Sequence, residues 1–333
     1  MNGLSVIICC YNSAHVLAET LRSLVSQEIN LACEWELILV DNASTDNTAS
    51  IAQQLWTSFQ TTLPIHIVTE KRSGLSFARE TGINQARFDI VLFCDDDNIL
   101  DAHYFEKGIA LMSQLPQVAL LGGKGVAQCK IAPPIWFDRY SYHFAVGTQA
   151  NECGDITLEK GYVYGAGSFL RLSHYYTLKN SGFVYTLTGR KGKSLLSGED
   201  NELGYALSLI GFHIYYDEQL HFQHVLPSNR ITLAYLKKLK RAVAYSSILL
   251  IPYIEKRNNL LLHQKPSFNW YKKIATELFY FVNGLLRYPF ASKQFQTDIL
   301  LDQQSRIGSI TGLLNHYTYL SNKNTWLPWL KVK

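Results

Sequence analysis

Asp89-Ile-Val-Leu-Phe-Cys-Asp-Asp-Asp97 is the stretch that decides how this chain of 333 residues folds. Its apolar run has the length of one buried strand, and it stops at carboxylates rather than at Gly or Pro. A helical pattern lies upstream; Asn98 and another helix follow. In an open α/β sheet, ligands collect outside the carboxyl ends of the strands. Asp95-Asp96-Asp97 therefore stands where a ligand would sit. Adjacent carboxylates repel one another and resist desolvation unless something positive pairs with them. A divalent cation held against a substrate diphosphate is one such partner, because Mg²⁺ and Mn²⁺ prefer carboxylate and phosphate oxygens. A solvated acidic turn is the plain alternative.

The pattern upstream supports the sheet. Leu4-Ser-Val-Ile-Ile-Cys-Cys10 predicts a buried strand, and Val16, Leu17, Thr20, Leu21, Leu24 and Val25 then recur with helical period. Glu36-Leu-Ile-Leu-Val40 predicts a second strand ending at Asp41, and Asn42-Ala-Ser-Thr-Asp46 supplies helix-capping side chains. Pro64-Ile-His-Ile-Val68 predicts a third strand. It leads through Lys71-Arg72-Ser73-Gly74 to a helix with Leu75, Ala78, Gly82, Ile83 and Ala86 on one face. Strand and helix alternating at this spacing imply right-handed βαβ units and a mostly parallel sheet. Beyond, Val118–Gly122, Tyr162–Arg171, Phe212–Tyr216 and Leu220–Val225 read as strands and Asn201–Ile210 as a helix. From 230 onward the signals are helical, including Trp270–Tyr288 and Asp298–Tyr319.

Composition narrows the class. No apolar stretch approaches the roughly 20 residues of a membrane-spanning helix, and Met1 to Cys10 has no basic n-region, so no signal peptide is expected. The six cysteines show no C-x-x-C pair, which suits reduced thiols in the cytoplasm. Charge is divided unevenly. Residues 1–225 carry 15 Lys and Arg against 23 Asp and Glu, whereas residues 226–333 carry 16 against 4. Two functionally different parts are expected, the second facing something anionic. No G-x-G-x-x-G follows the first strand, against a dinucleotide-binding site. Gly189-Arg-Lys-Gly-Lys-Ser194 misses the phosphate-loop spacing, because Leu187 stands where its first Gly belongs.

Five ordered motifs carry a resemblance. Ser5-Val-Ile-Ile-Cys-Cys-Tyr-Asn12, Leu39-Val-Asp-Asn-Ala-Ser-Thr-Asp46, Gly74-Leu-Ser-Phe-Ala-Arg79, Phe93-Cys-Asp-Asp-Asp97 and Gly198-Glu-Asp-Asn-Glu202 resemble those of the family 2 glycosyltransferases. The resemblance implies a GT-A fold, a nucleotide-sugar donor, a divalent metal (Mn²⁺ or Mg²⁺) and inversion at the anomeric carbon. It puts Cys10, Tyr11, Asn12, Asp41, Gly74, Asp95 and Asp96 at the nucleotide and donor, with Asp95 and Asp97 as the DXD acids. Asp97 would be the direct metal ligand and Asp95 the ribose contact or a second ligand. Two positions depart from the family: Glu80 stands where Asn is common and Arg87 where Gly is.

Glycosyl transfer needs a counter-charge for the leaving diphosphate and a base for the acceptor hydroxyl. Under the resemblance, Asp200 is the base and Glu199 an acceptor-orienting or structural partner; as a bare pair they would simply cap a helix. His221 and His224 are an odd number of strand positions apart, so one of them faces the site; His224 is expected to complete the metal or diphosphate contacts. Arg72 and Arg79, with Lys71, are candidates to neutralise donor phosphates, or are surface charge. Arg190, Lys191 and Lys193 belong to a loop expected to close over the diphosphate. Gly165 and Gly167 let the backbone approach the donor sugar or mark a bulge. Trp136, Phe137 and Tyr140 stack on a sugar or fill the core.

In the basic third, Leu233, Leu236, Leu239 and Val243 form a stripe, with Lys237, Lys238, Lys240 and Arg241 largely off it. This region is expected to be a helical subdomain that covers the acceptor cleft or forms a homodimer interface, or else to lie on an anionic membrane surface. No nucleic-acid module accompanies the charge. The expectation is an α/β protein of GT-A type, with a Rossmann-like, mostly parallel central sheet, flanking helices and a C-terminal helical region. A catalytic domain spans 1–225, its nucleotide-sugar half 1–123 and its acceptor half 124–225, before a basic helical subdomain at 226–333. The expected enzyme moves a sugar, from a UDP-sugar by default, to a saccharide or lipid-linked saccharide in surface polysaccharide or glycolipid synthesis. Its expected place is the cytoplasm, or the cytoplasmic face of a bacterial inner membrane. A silent nucleotide- or carbohydrate-binding module and a sugar nucleotidyltransferase are the alternatives. Intact Asp95, Asp97 and Asp200 speak against the first, and a missing glycine- and Arg-rich amino-terminal signature against the second.

Overall fold

The computed structural model describes residues 3–30, 33–192 and 194–330. The chain opens with β1 (Gly3–Cys10), α1 (Leu17–Val25), β2 (Glu34–Asp41), α2 (Thr48–Ser58), β3 (Ile65–Thr69), α3 (Leu75–Gln85) and β4 (Ile90–Asp95). These strands pair in the order β3-β2-β1-β4, all parallel. Along β1, Leu4, Val6 and Ile8 enter the core on one face of the sheet and Ile7 enters the core on the other. In β4, Leu92 and Cys94 alternate with Val91 and Phe93 in the same way. Helices cover both faces, so the strands read as unbroken apolar runs. Gly82 brings α3 down onto β1, since a Cβ there would lie 2.5 Å from Ile7 Cγ2. Where Arg87 departs from the family, its guanidinium caps buried Glu36 at 2.8 Å, and Glu36 also accepts from Ser5 Oγ.

Next come β5 (Asn98–Leu100), α4 (Tyr104–Gln114), β6 (Val118–Cys129), α5 (Phe137–Tyr140), β7 (Gly154–Asp155), β8 (Ser168–Arg171), α6 (Leu172–Asn180), α7 (Glu199–Leu209) and β9 (His213–Leu226). They extend the sheet as β4-β8-β6-β9-β5, with β7 beside β9. The long ladder β6–β9 is parallel, and the antiparallel pairs are the shorter ones. Two expectations are corrected here. The strand expected over Tyr162–Arg171 begins only at Ser168, because the Gly165 amide leaves the ladder to bind Asp200. The two strands expected over 212–225 are one, β9, whose irregular pairing with β6 shifts register at Gly122/Lys124.

The chain ends with α8 (Leu233–Leu249), α9 (Ile251–Leu260), α10 (Trp270–Arg287), α11 (Lys293–Asn315) and α12 (Tyr317–Ser321). Pro252 lies in the first turn of α9, where a missing N–H costs nothing. The core continues past residue 225: Tyr253, Leu327 and Trp329 join the cluster that holds Ile7 and Val91. Lys240, expected on the polar side of α8, is buried, with Nζ 4.8 Å from the Tyr140 ring and 3.6 Å from Asp302. Phe137 and Tyr140 are core, and the Tyr140 hydroxyl donates to Asp298 at 2.9 Å, so neither is a sugar platform. Trp136, partly buried, packs against the cluster of Phe137, Tyr140 and Phe144.

Candidate active site

The strand order reverses between β1 and β4, and ligands of open α/β sheets bind at such switch points. A cleft of about 570 Å³ opens there. Its lining includes Cys10 and Tyr11 after β1, Asp95, Asp96 and Asp97 after β4, Arg79 of α3, Glu199 and Asp200 at the start of α7, and His224 of β9. The acidic triplet and the Glu199-Asp200 step therefore share one cavity, as the glycosyl-transfer expectation requires.

Asp97 is held by groups from distant segments. Pairing of β5 with β9 sets Asn98 opposite His224 and brings the imidazole beside the triplet. His224 Nε2 lies 3.4 Å from Asp97 Oδ1, and Arg230 Nη1 donates to Asp97 Oδ2 at 3.0 Å. Burial would raise the Asp97 pKa, but His224 and Arg230 more than reverse this and hold it well below the usual range. His224 Nδ1 lies 2.7 Å from the Phe144 carbonyl oxygen, which can only accept, so Nδ1 carries a proton. Nε2 is left to face Asp97. Burial disfavours a charged His224, yet Asp97 raises its pKa. Asp96 turns away to accept from Ser13 Oγ, and burial and the Asp97 charge push its pKa up. His221 instead faces outward to Asp101 at 3.2 Å.

The other end of the cleft is built on α7. Asp200 Oδ2 accepts from the Gly165 amide at 3.0 Å and Oδ1 from the Asn201 amide at 2.8 Å, so this carboxylate binds an amide in the first turn of its own helix and lines the cleft at once. Arg79 is buried between the two ends, 3.8 Å from Asp95 and 3.6 Å from Glu199. Its guanidinium lies so close to Gly165 that a Cβ there would sit 2.2 Å from Nη2. Burial and the charge of Asp200 push Glu199 up to about 7; Arg79 pulls the other way and is outweighed.

Not every expected residue reaches the lining. Asn12 Oδ1 accepts from the Thr45 amide at 2.7 Å, and Asp41 Oδ1 accepts from the Ser44 amide at 3.1 Å, so both brace the loop after β2. Arg72 is bound to Glu70 at 2.8 Å and runs along the surface. Gly74 holds a positive φ of 145° at the start of α3, while its neighbours Ser73 and Leu75 face the cleft. Arg190 lines the cleft, Lys191 is exposed, and Lys193 lies outside the described residues. Sequence reasoning missed Arg230, which follows a Pro227-Ser228-Asn229 turn with no local pattern, and Asn42, whose Oδ1 accepts from the Gly74 amide. It also missed Tyr142, Tyr162 and Tyr164 as lining residues.

Residues 5–166 match the profile described as Glycosyl transferase family 2. The chain carries a family 2 glycosyl transferase domain. Glycosyltransferase AglE of Haloferax volcanii is 34% identical over 119 residues, 36% of this chain and 38% of that protein. Cholesterol galactosyltransferase of Borreliella burgdorferi is 31% identical over 102 residues, 31% of this chain and 27% of its own length. The matched segments thus span well under half of these relatives. Among solved structures, S. aureus TarS 1–349 in complex with UDP covers 96% of this chain and 92% of its own at 17% identity and a TM-score of 0.53. The mannosyltransferase PcManGT from Pyrobaculum calidifontis, in complex with GDP-Man and Mn²⁺, covers 94% and 87% at 15% identity and a TM-score of 0.58. These two likenesses concern the fold, and it is the expected GT-A type.

Among the described residues, no group of three or more His, Cys, Asp or Glu side chains is arranged to hold a metal ion by itself. Asp95 is drawn towards Arg79, leaving Asp97 and His224 as the protein donors that face each other. Such a pair fits Mg²⁺ or Mn²⁺ bound together with substrate phosphates, which takes one or two carboxylates rather than a full protein cage. An ionised carboxylate and an imidazole with its other nitrogen anchored are suitable donors.

Proposed function

We propose that this chain is a glycosyltransferase that moves a sugar from a nucleotide diphosphate, UDP by preference, to an acceptor hydroxyl with inversion. The carrying observation is the shared cleft, with Asp97, His224 and Arg230 at one end and Asp200 at the other. Arg79, Arg190 and Arg230 offset the charge of the donor diphosphate, and Tyr11, half exposed beyond β1, covers the base. Asp97 and His224 would hold a divalent cation, which supplies Lewis-acid stabilisation of the leaving diphosphate when bound. Asp200 takes the proton of the acceptor hydroxyl. The acceptor oxygen forms its bond to the anomeric carbon from the face opposite the diphosphate. The bond from that carbon to the diphosphate oxygen breaks, and the electron pair leaves with the nucleotide. Tyr162 and Tyr164, each with Lys160 Nζ within 4.7 Å of its ring centre, wall the acceptor side beside Asp200.

Uridine is favoured because TarS 1–349 was solved with UDP and with UDP-GlcNAc. Surface polysaccharide or glycolipid synthesis is the proposed setting. The test is a thermal-shift panel of UDP- and GDP-sugars with and without Mn²⁺, followed by an assay of nucleotide release. Stabilisation by one nucleotide sugar, lost in Asp97→Asn, is expected. Absence of both stabilisation and nucleotide release across the panel would refute the proposal.

A further inference from the structure

Helix α10 carries its apolar face outward. Glu277, its one acidic residue, points into the protein, 2% exposed, with Lys273 and Arg306 each 2.8 Å away. Gly284 faces the same way, since a Cβ there would lie 1.9 Å from Gln303 Nε2 of α11. The polar face of α10 is therefore committed to α11. The opposite face shows Leu278, Phe279, Val282, Leu285 and Leu286 at 46–67% exposure, and Phe290 just past the helix is 91% exposed. These positions recur with the period of one helical stripe. No charge interrupts the stripe, while Lys272 and Arg287 stand towards its two ends and Lys293 follows three residues after Phe290, all exposed. A continuous apolar face rimmed by charge marks an interaction site.

The flanking charge identifies what covers it. A symmetric pair of chains meeting through this face would set each copy's Lys272, Arg287 and Lys293 against the same residues of the other. The region also has little acid left to answer a basic partner. Glu277 is paired, Glu255 accepts from the Ser267 and Phe268 amides, Asp298 binds Arg139 and Tyr140, and Asp302 lies near Lys240. Anionic lipid headgroups satisfy the cations, and the acyl boundary takes the apolar stripe.

We propose that α10 and the turn through Phe290 seat the protein on an anionic bilayer, lying in its plane. No helix among the described residues is long and apolar enough to cross one. Helix α8, whose charge pattern also suggests a membrane, is not the docking element, because Leu236 and Leu239 are buried in the core. This inference is independent of the reaction proposed above.

Sedimentation of the full chain with vesicles tests it. Binding is expected to phosphatidylcholine vesicles containing phosphatidylglycerol, weakening as salt rises, with little binding to phosphatidylcholine alone. Phe279→Ser with Leu286→Ser should lower the apparent affinity at least about tenfold, and Lys272→Glu with Lys293→Glu should also lower it, all with unchanged circular dichroism. Lys238→Glu on α8 should bind as wild type. Failure to pellet with phosphatidylglycerol vesicles, or equal pelleting of the serine variant, overturns the proposal. So does a wild-type dimer that the serine pair turns into a monomer in sedimentation velocity, which would make the face an interface between copies.

Discussion

Asp97 and Glu199 are both carboxylates buried at the edge of one cleft, and the protein shifts their acidities in opposite directions. Asp97 faces Arg230 and His224, so it stays ionised well below the usual range. Glu199 faces the negative Asp200 as well as Arg79, and its buried carboxyl is pushed up to about 7. What differs is the charge brought up from other segments. One end is built to keep a negative charge beside cations; the other places a weakened acid next to the candidate base.

Removing Asp200 should do the most. Asp200→Asn keeps the shape but not the basicity, and kcat should fall about 10²- to 10⁴-fold with a near-normal KM for donor; a rate within a few-fold of wild type would take Asp200 out of the mechanism. At the other end, Asp97→Asn should act on binding, weakening Mn²⁺-dependent nucleotide affinity about 10- to 100-fold in calorimetry. Equal metal-dependent affinity in the variant would erase the contrast between the two ends.

Glu199 gives a pH test of the same contrast. Its pKa of about 7 in the folded protein lies above the ordinary 4.5, so folding favours the protonated form. That contribution is complete below the ordinary value and is lost as pH rises through about 7. Glu199→Gln is neutral throughout, so the drop in unfolding free energy between pH 5 and pH 8 should shrink by on the order of 2 kcal/mol. Urea unfolding at the two pH values measures it, and an unchanged drop would show that Glu199 ionises normally. The smallest effect is expected at Arg72→Ala: its guanidinium is on the surface with Glu70, and donor KM should stay within about two- to threefold of wild type. A larger rise in KM would put Arg72 at the donor after all.

The first, parallel part of the sheet was legible because strands covered on both faces leave a plain trace. Val6, Ile7 and Ile8 had to be buried whichever way they pointed, and the carboxylates that stop β4 had to lie at its end. The start of α7 was legible for a similar reason, since an acidic pair before a helical pattern marks an N-terminus. Elsewhere local pattern failed. Tyr162–Ser168 has strand composition, yet the Gly165 amide finds a better acceptor in Asp200, 35 residues away. Alternation set His221 and His224 on opposite faces and the family resemblance favoured His224, but its partners, Asp97 and the Phe144 carbonyl, come from the turn after β4 and from the segment after α5.

The chain by itself determined where the acids stand, which segments alternate with the period of strand or helix, and which family the domain resembles. These follow from short-range rules: side-chain spacing, capping and turn chemistry act within a few residues. The tertiary structure decided which acid keeps its charge, that Arg230 guards Asp97, that Arg72 stays away, and which way each amphipathic helix turns. Helices α8 and α10 both carry an apolar stripe, but only packing buries the first and leaves the second outside. Charge state and exposure depend on what lies within a few ångströms, and at these sites the neighbours come from segments remote in the sequence.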